Sequence, residues 1–233
     1  MRRQVLKSDS LLLVASFFWG TTFVAQRMGM EHVGPMTYIA VRFAVGSLAI
    51  LPLALRFRPT YFAPATPTGP RFLLYGGILA GLALFGGASF QQMGLQYTTA
   101  GKAGFITCLY VVIVPLIGLF LGHRCGVFVW VGAVLSVIGL YLLSITESFT
   151  ISRGDLLALA GAFFWAAHVL VIGHLAKRAN PLRIACIQFV TCSALGLVAA
   201  VLTEDMSLSA ICRAALPILY GGILSTGIAF TLQ

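Results

Sequence analysis

The chain alternates long apolar stretches with short polar segments. When every Lys, Arg, Asp and Glu is marked, eight stretches remain that hold at most one charge and are long enough, or nearly so, to cross a bilayer as helices. They are Leu11–Gln26, Val33–Leu55, Phe72–Gly101, Ala103–His123, Cys125–Thr146, Leu156–Ala176, Ile184–Thr203 and Ala214–Gln233. In lipid, backbone polar groups have to be hydrogen-bonded within the protein, which a helix achieves by itself. Barrel strands would instead show alternating apolar and polar residues, and these runs are continuously apolar. The pattern therefore predicts about eight transmembrane helices.

Composition supports a membrane protein and excludes several other classes. Hydrophobic residues make up 59% of the 233 residues, charged residues make up 9%, and the mean hydropathy is +0.98. A soluble domain carries about 25% charged residues, so this chain has too few to cover a globule of its size. A soluble enzyme, a disordered tail, a fibrous repeat and a disulfide-stapled secreted domain are excluded. The five cysteines include no CxxC, so no metal site or disulfide framework is expected.

Lys and Arg are unevenly shared between the predicted loops. With the N-terminus in the cytoplasm, the inner segments hold ten of them and the outer segments hold four. Positive residues favour the cytoplasmic side, so the sequence predicts a multi-pass protein of the plasma (cytoplasmic or inner) membrane with a cytoplasmic N-terminus. The net charge of +9 then reflects basic loops beside anionic lipid. No basic-aromatic tract points to nucleic acid.

The sequence also repeats itself. A shift of 146 residues aligns Phe17–Trp19 with Phe163–Trp165, and a shift of 145 residues aligns Leu74–Leu79 with Leu219–Leu224. A nearly constant offset over three successive helices is difficult to obtain by chance. Each unit holds five helices, and because five is odd, the second copy enters the membrane upside down. The predicted architecture is an inverted repeat, which is typical of secondary transporters.

The repeat predicts two domains and their extent. Residues 1–146 form a first five-helix repeat, and residues 147–233 form a second, incomplete repeat of about three helices. Because Gln233 aligns with Ala88, inside the third helix of the first unit, about 56 residues of the second unit are expected to be missing. The expected whole is an all-α, ten-helix membrane protein of about 290 residues, truncated here at its C-terminal end.

Several stretches match a known family in order and spacing. They are Phe18–Val24 on helix 1, Arg42-Phe43 on helix 2, Gly94–Phe105 leading into helix 4 with Pro115 beyond it, and Trp130–Ala133 on helix 5. The sequence resembles the EamA-type family of the drug/metabolite transporter superfamily, whose members are ten-helix exporters built from two inverted five-helix units. The resemblance covers nearly the whole chain. It implies transport of amino acids, metabolites or hydrophobic drugs.

Five side chains are candidates for lining a substrate cavity: Trp19, Gln92, Lys102, Trp165 and His168. Trp19 and Trp165 are repeat mates placed well inside the membrane, away from the interfacial positions that Trp usually takes. His168 follows Trp165 by one turn on the same helix face, while Gln92 lies near the end of helix 3 and Lys102 near the start of helix 4. Polar groups at membrane depth are costly and tend to mark a pathway. Plain packing is the alternative interpretation of the two Trp residues.

Two further residues are candidates for structural or gating roles. Arg42 is the only charge deep in a predicted run, about 10 Å from the outer end of helix 2, and its insertion costs roughly 2.5–3.5 kcal/mol. Direct contact with a substrate is the alternative role for Arg42. Pro115 removes a backbone hydrogen bond to Val111, which predicts a kink that either gates a cavity or simply bends the helix.

The favoured function is secondary transport, most often export, of a small-molecule substrate by alternating access across the cytoplasmic membrane. The lipid bilayer is the other predicted partner. No cofactor, metal or nucleic acid is expected, and a homodimer is left open. The alternatives are a truncated, non-transporting membrane protein and an integral membrane enzyme. The sequence holds no HExxH, no GxSxG and no intramembrane Asp pair, so little favours the enzyme.

Overall fold

A computed structural model describes residues 2–56, 69–120, 122, 126–146 and 151–232, and these residues are mostly helical. The longer helices are α1 (Arg2–Gly29), α2 (Pro35–Arg56), α3 (Pro70–Gly94), α4 (Ala100–Cys108), α5 (Tyr110–Phe120), α6 (Val127–Thr146), α7 (Arg153–Leu175) and α8 (Pro181–Thr203). After them come α9 (Leu208–Arg213), α10 (Ala215–Leu219), a π-helix (Tyr220–Ala229) and α11 (Phe230–Leu232).

Six spans in the described residues are long and apolar enough to cross a membrane, when α4 and α5 are taken as one span. Two shorter apolar helical segments, Val127–Gly139 and Ala215–Ala229, add to them. Large apolar side chains such as Phe120 and Phe128 remain exposed on the helices. A soluble protein rarely leaves so much apolar surface uncovered. The predicted all-helical membrane class is therefore confirmed.

Helix starts follow from local sequence. Proline begins α2, α3 and α8, at the position where its missing N–H leaves no bond unmade. Thr99 caps α4 by accepting a hydrogen bond from the Lys102 backbone N–H at 3.2 Å, and Asn180 caps α8 through the Leu182 N–H at 3.0 Å. Such caps satisfy the first free amides of a helix.

Three of the predicted runs differ from the observed helices. The run Phe72–Gly101 contains a break, because α3 ends at Gly94 and α4 begins at Ala100. The next predicted helix is divided into α4 and α5, and the last is largely a π-helix. Three ends of predicted runs lie outside the described residues: His123, Cys125 and Gln233.

Contacts divide the chain into two compact units. Unit 1 contains α1, α2, α3 as far as Leu82, and the chain from His174 onward. Its centre is the close packing of α2 against α8 and the π-helix. A Cβ on Gly196 would lie 3.0 Å from the Ala40 backbone nitrogen, and Ser193 Oγ donates to the Ala40 carbonyl at 2.8 Å. Glycine thus lets the backbones of α2 and α8 approach each other directly.

Unit 2 contains residues Ala83–Gly173, and within it the second half of α3 packs against α7. A Cβ on Gly94 would lie 2.7 Å from the Gly154 carbonyl oxygen, and one on Gly161 would lie 3.2 Å from the Gly87 carbonyl oxygen. The two helices are therefore in backbone contact at two levels. α5 packs on the other part of α7 through a cluster of buried residues that includes Ile113.

Candidate functional site

A buried ion pair joins α4 and α7 in unit 2. Lys102 Nζ lies 2.8 Å from Asp155 Oδ2, and the two side chains are 9% and 7% exposed. Thr98 Oγ1 donates to Asp155 Oδ1 at 2.7 Å, and the Ser152 N–H donates to Oδ2 at 2.8 Å. Ser152 caps α7, because its Oγ accepts from the Asp155 N–H at 3.1 Å, and the bond from the Ser152 N–H to the Asp155 carboxylate completes a capping box. The carboxylate thus has a cation and two further donors, which is what a buried charge requires.

Sequence reasoning placed Lys102 among the cavity candidates but missed Asp155 as its partner. Both residues lie in the first turn of their helices. The predicted topology also starts both helices at the same side of the membrane, and this shared position was the available signal. The structure therefore gives Lys102 a structural partner as well as its predicted place near the start of helix 4.

Polar side chains on α3 and α4 are buried without a matching group. Gln92 is 1% exposed and Ser89 is 7% exposed, one turn apart on α3. Gln92 Nε2, Ser89 Oγ and, on α4, Thr107 Oγ1 have no hydrogen-bond partner among the described residues. A buried polar group of this kind needs an explanation, such as a bound water or ligand. These three groups of unit 2 are therefore able to form hydrogen bonds with a bound polar molecule.

Trp165 and His168 lie together on α7. Their rings are perpendicular, with centroids 5.8 Å apart, and His168 is 3% exposed. A Cβ on Gly87 would lie 3.2 Å from the Trp165 ring, so this glycine allows the indole to pack against α3. Four of the five predicted cavity residues, Gln92 and Lys102 together with this pair, thus belong to unit 2.

Trp19, the fifth candidate, belongs to unit 1 and begins a row of aromatic rings. Its ring centroid lies 5.5 Å from that of Phe230, which lies 5.3 Å from Phe189, which in turn lies 5.8 Å from Phe43. The Arg42 guanidinium carbon lies 5.1 Å from the Phe43 ring centroid. We call these four rings the aromatic row. The aromatic row thus extends from Trp19 to the ring beside Arg42.

Arg42 is held by hydroxyl groups of the π-helix. It is 5% exposed, its Nε donates to Thr226 Oγ1 at 3.2 Å, and its Nη2 lies 3.4 Å from Ser225 Oγ. Thr226 Oγ1 in turn donates to the Gly221 carbonyl, five residues earlier, at 2.9 Å. Neither of these two hydroxyl partners carries a charge. The guanidinium therefore has neutral partners, and sequence reasoning did not identify the two hydroxyls.

Pro115 is buried in α5, after the interruption that separates α4 from α5. The Leu109 N–H turns back to the Ile106 and Thr107 carbonyls, and this residue ends α4. The break thus lies just before Val111, the residue whose carbonyl Pro115 cannot bond. This position agrees with a proline effect on the helix, while the gating role of Pro115 stays a prediction.

Unit 1 also contains an apolar cavity between α1 and the segment before the π-helix. Its volume is about 370 Å³, and its lining residues are Thr21, Val24, Ala25, Met28, Leu216, Pro217 and Tyr220. Across it, Thr21 Oγ1 and the Tyr220 hydroxyl form a hydrogen bond of 2.7 Å. Tyr38 on α2 donates to the Pro217 carbonyl at 2.9 Å, so the cavity wall is fixed to α2.

Apolar spans with polar and charged groups buried among them define a multi-pass membrane protein. Comparison with known families is more specific, because the model of the EamA-like transporter family matches residues 6–145 and 152–233. The chain belongs to the EamA-like transporter family, within the drug/metabolite transporter superfamily.

Two relatives from Archaeoglobus fulgidus are each described as an uncharacterized transporter. One is 33% identical over 183 residues, covering 77% of this chain and 53% of the relative. The other is 28% identical over 171 residues, covering 71% and 57%. The chain thus spans about half the length of the curated relatives it matches. A crystal structure with 20% identity and a TM-score of 0.72 covers 97% of this chain and 77% of its own, and shows the fold.

Proposed function

We propose that the protein is a secondary transporter that exports small metabolites, amino acids or drugs by alternating access. We place it in the plasma (cytoplasmic or inner) membrane with the N-terminus in the cytoplasm. The inverted repeat proposed from the sequence, residues 1–146 and 147–233, supports this mechanism, since such repeats are typical of alternating-access transporters. The uneven distribution of Lys and Arg supports the orientation.

The observation that carries the proposal is the unmatched polarity of unit 2. Gln92 Nε2 and Ser89 Oγ are buried without a hydrogen-bond partner in the part of the chain that the structure describes. Membrane proteins keep such groups where they serve a pathway or a ligand. We assign Gln92, with Trp165 and His168, to substrate contact in unit 2, and Trp19 to the same role in unit 1.

Lys102 has a more restricted part in this proposal. Its ammonium group is already paired with Asp155 at 2.8 Å, so any substrate contact has to share or replace that carboxylate. We therefore propose that Lys102 acts near the substrate by holding α4 to α7. Pro115 is proposed for a structural or gating role, and Arg42 is proposed either for such a role or for direct contact with a substrate.

The test uses the whole protein reconstituted into proteoliposomes, with counterflow of radiolabelled amino acids and a panel of cationic drugs as the assay. Gln92→Ala is compared with Gln96→Ala, which changes an exposed residue of the same type one turn away. Loss of a hydrogen bond predicts a kcat/KM about 2- to 10-fold lower for Gln92→Ala. Gln96→Ala should match the wild type. Equal activity of both variants would remove Gln92 from the site, and absence of counterflow by the wild type would contradict the transport function.

A further inference from the structure

We propose that Arg42, Ser225 and Thr226 form a subsite for a carboxylate group of the transported molecule. The proposal rests on the transport function above and names the chemical class of its substrate. Its basis is a buried cation whose described partners are two hydroxyl groups. Burying a charge without an opposite charge is unfavourable, and such a charge inside a membrane protein is a functional candidate.

The second copy of the repeat shows that this helix contact does not require a cation. The shift of 146 residues places Gln188 at the position of Arg42, and the shift of 145 residues places Gly81 at that of Thr226. Gln188 is also buried, at 3% exposed. A Cβ on Gly81 would lie 3.0 Å from the Gln188 carbonyl oxygen, so α3 and α8 are in close contact there. Packing at these positions is therefore achieved with a neutral amide, and the charge of Arg42 has another purpose.

The hydroxyl groups orient the guanidinium without neutralising it. Nε and Nη2 of Arg42 use two of the five N–H donors of the group. Thr226 Oγ1 gives its own proton to the Gly221 carbonyl, so it is fixed as an acceptor toward Arg42. A carboxylate can bind the donors that remain in a bidentate way, which is the strong geometry for this pair.

Gly221 lets the side chains of Tyr38 and Arg42 pack directly against the backbone of the π-helix. A Cβ on Gly221 would lie 2.9 Å from the Tyr38 hydroxyl and 3.1 Å from Arg42 Cδ, so the polar ends of Tyr38 and the Arg42 chain meet over this residue. Pro217 and Tyr220, which line the cavity of unit 1, immediately precede it. The cavity therefore provides a nearby apolar space for the rest of a molecule whose carboxylate is bound by Arg42.

An anionic group near a membrane-embedded arginine has two possible sources. One is the carboxylate of a solute, and the other is the phosphate of a lipid headgroup, since Arg42 lies about 10 Å from the end of its helix. We assign the subsite to the solute because Tyr38, one turn before Arg42 on α2, donates to the Pro217 carbonyl in the wall of the apolar cavity of unit 1, and this cavity offers space for the rest of a solute.

The test is thermal unfolding of the whole protein, purified in detergent, with amino acids and the corresponding amino acid amides as probes. The amides keep the ammonium group and the side chain but lack the carboxylate. We expect amino acids to stabilise the wild type and the amides not to do so. Arg42→Gln, which introduces the residue of the second repeat, should raise the half-saturating amino acid concentration about tenfold or more.

Two further variants keep the result interpretable. Arg183→Gln changes an exposed arginine on α8 and should behave as the wild type. Arg42→Lys keeps the charge but not the bidentate geometry, so it should weaken the effect of the amino acids and retain native stability if Arg42→Gln does not fold. An unchanged half-saturating concentration in both Arg42 variants, or equal stabilisation by acids and amides, would overturn the proposal.

Nanodiscs of pure phosphatidylcholine and of phosphatidylcholine with phosphatidylglycerol test the lipid source. If phosphatidylglycerol stabilises the wild type but not Arg42→Gln, and no amino acid has an effect, the bound anion is a lipid phosphate and the assignment to a solute is overturned. Binding is measured here without transport. Arg42-dependent binding in a protein inactive in counterflow would support the subsite and contradict the transport function, whereas unaltered transport and binding by Arg42→Gln would overturn only the subsite.

Discussion

Arg42 in unit 1 and Lys102 in unit 2 are both buried basic side chains, but their surroundings differ. Lys102 forms an ion pair with Asp155, whose carboxylate also accepts from Thr98 and Ser152. Arg42 has the hydroxyls of Ser225 and Thr226 and the face of Phe43. The first arrangement is complete without any other molecule. The second keeps a positive charge uncompensated within the described residues, which is the property that an anion-binding site needs.

Unit 1 also contains a partly buried carboxylate, that of Glu204. This carboxylate stabilises the start of α2 and does not compensate the charge of Arg42. Glu204 accepts from the Met36 N–H at 2.7 Å, and from the N–H and hydroxyl of Thr37 at 2.9 and 2.7 Å. It thereby satisfies free amides in the first turn of α2. Asp155 and Glu204 thus both accept from amides at a helix start, but only Asp155 also compensates a buried cation.

The largest expected effect comes from breaking the ion pair. Lys102→Met leaves the Asp155 carboxylate buried without its cation, so we expect the free energy of unfolding to fall by about 3–5 kcal/mol. Thermal unfolding in detergent measures this loss. Lys177→Met removes an exposed lysine and should stay within about 0.5 kcal/mol of the wild type. Similar stability of the two variants would mean that the pair contributes little.

The carboxylate at the start of α2 should have the next largest effect. Glu204→Ala removes acceptors from two backbone amides and one hydroxyl, and we expect a loss of about 1–2 kcal/mol. The same unfolding assay applies. Asp205→Ala changes the neighbouring exposed acid and serves as the control. If Asp205→Ala destabilises the protein as much, the cause is the general charge of the loop and not the cap.

Removing both members of the ion pair should be much less harmful than removing one. Lys102→Met combined with Asp155→Leu leaves no buried charge, so we expect unfolding within about 1 kcal/mol of the wild type. A double-mutant cycle with both single variants measures the coupling. Strictly additive losses would show that the two side chains act independently, despite their 2.8 Å separation.

The smallest effect on stability is expected at Arg42. Arg42→Gln removes a charge that has no described counter-charge and places an amide beside the same hydroxyls, so the change should be less than about 1 kcal/mol. This expectation is opposite to that for Lys102→Met and is measured in the same unfolding series. A loss as large as that of Lys102→Met would show that Arg42 is a structural cation after all.

Much of the fold was predictable because uncharged runs and helices coincide in a membrane. The run Val33–Leu55 differs from α2, Pro35–Arg56, by no more than two residues at either end. The run Phe72–Gly101 was misleading for a physical reason. The turn before α4 is made of uncharged residues, so charge alone does not reveal it, whereas the capping hydroxyl of Thr99 does.

The details of the site were less predictable because they depend on tertiary packing. Lys102 and Asp155 are brought together by the backbone contact of Gly94 with Gly154, and no local pattern encodes a pairing over that separation. The π-helix is likewise supported by a side chain, since Thr226 bonds a carbonyl five residues earlier. Residue types suggested which side chains were unusual, but partners had to come from the folded chain.

The ion pair between α4 and α7 also has a consequence for biosynthesis. Lys102 leaves the ribosome about 50 residues before Asp155, which corresponds to roughly 3–10 seconds of synthesis at 5–20 residues per second. During that interval the ammonium group at the start of α4 lacks the Asp155 carboxylate, and burying one charge of such a pair without the other is unfavourable. The first turn of α4 should therefore reach its final packing late, and the arrival of α7 becomes the event that completes unit 2.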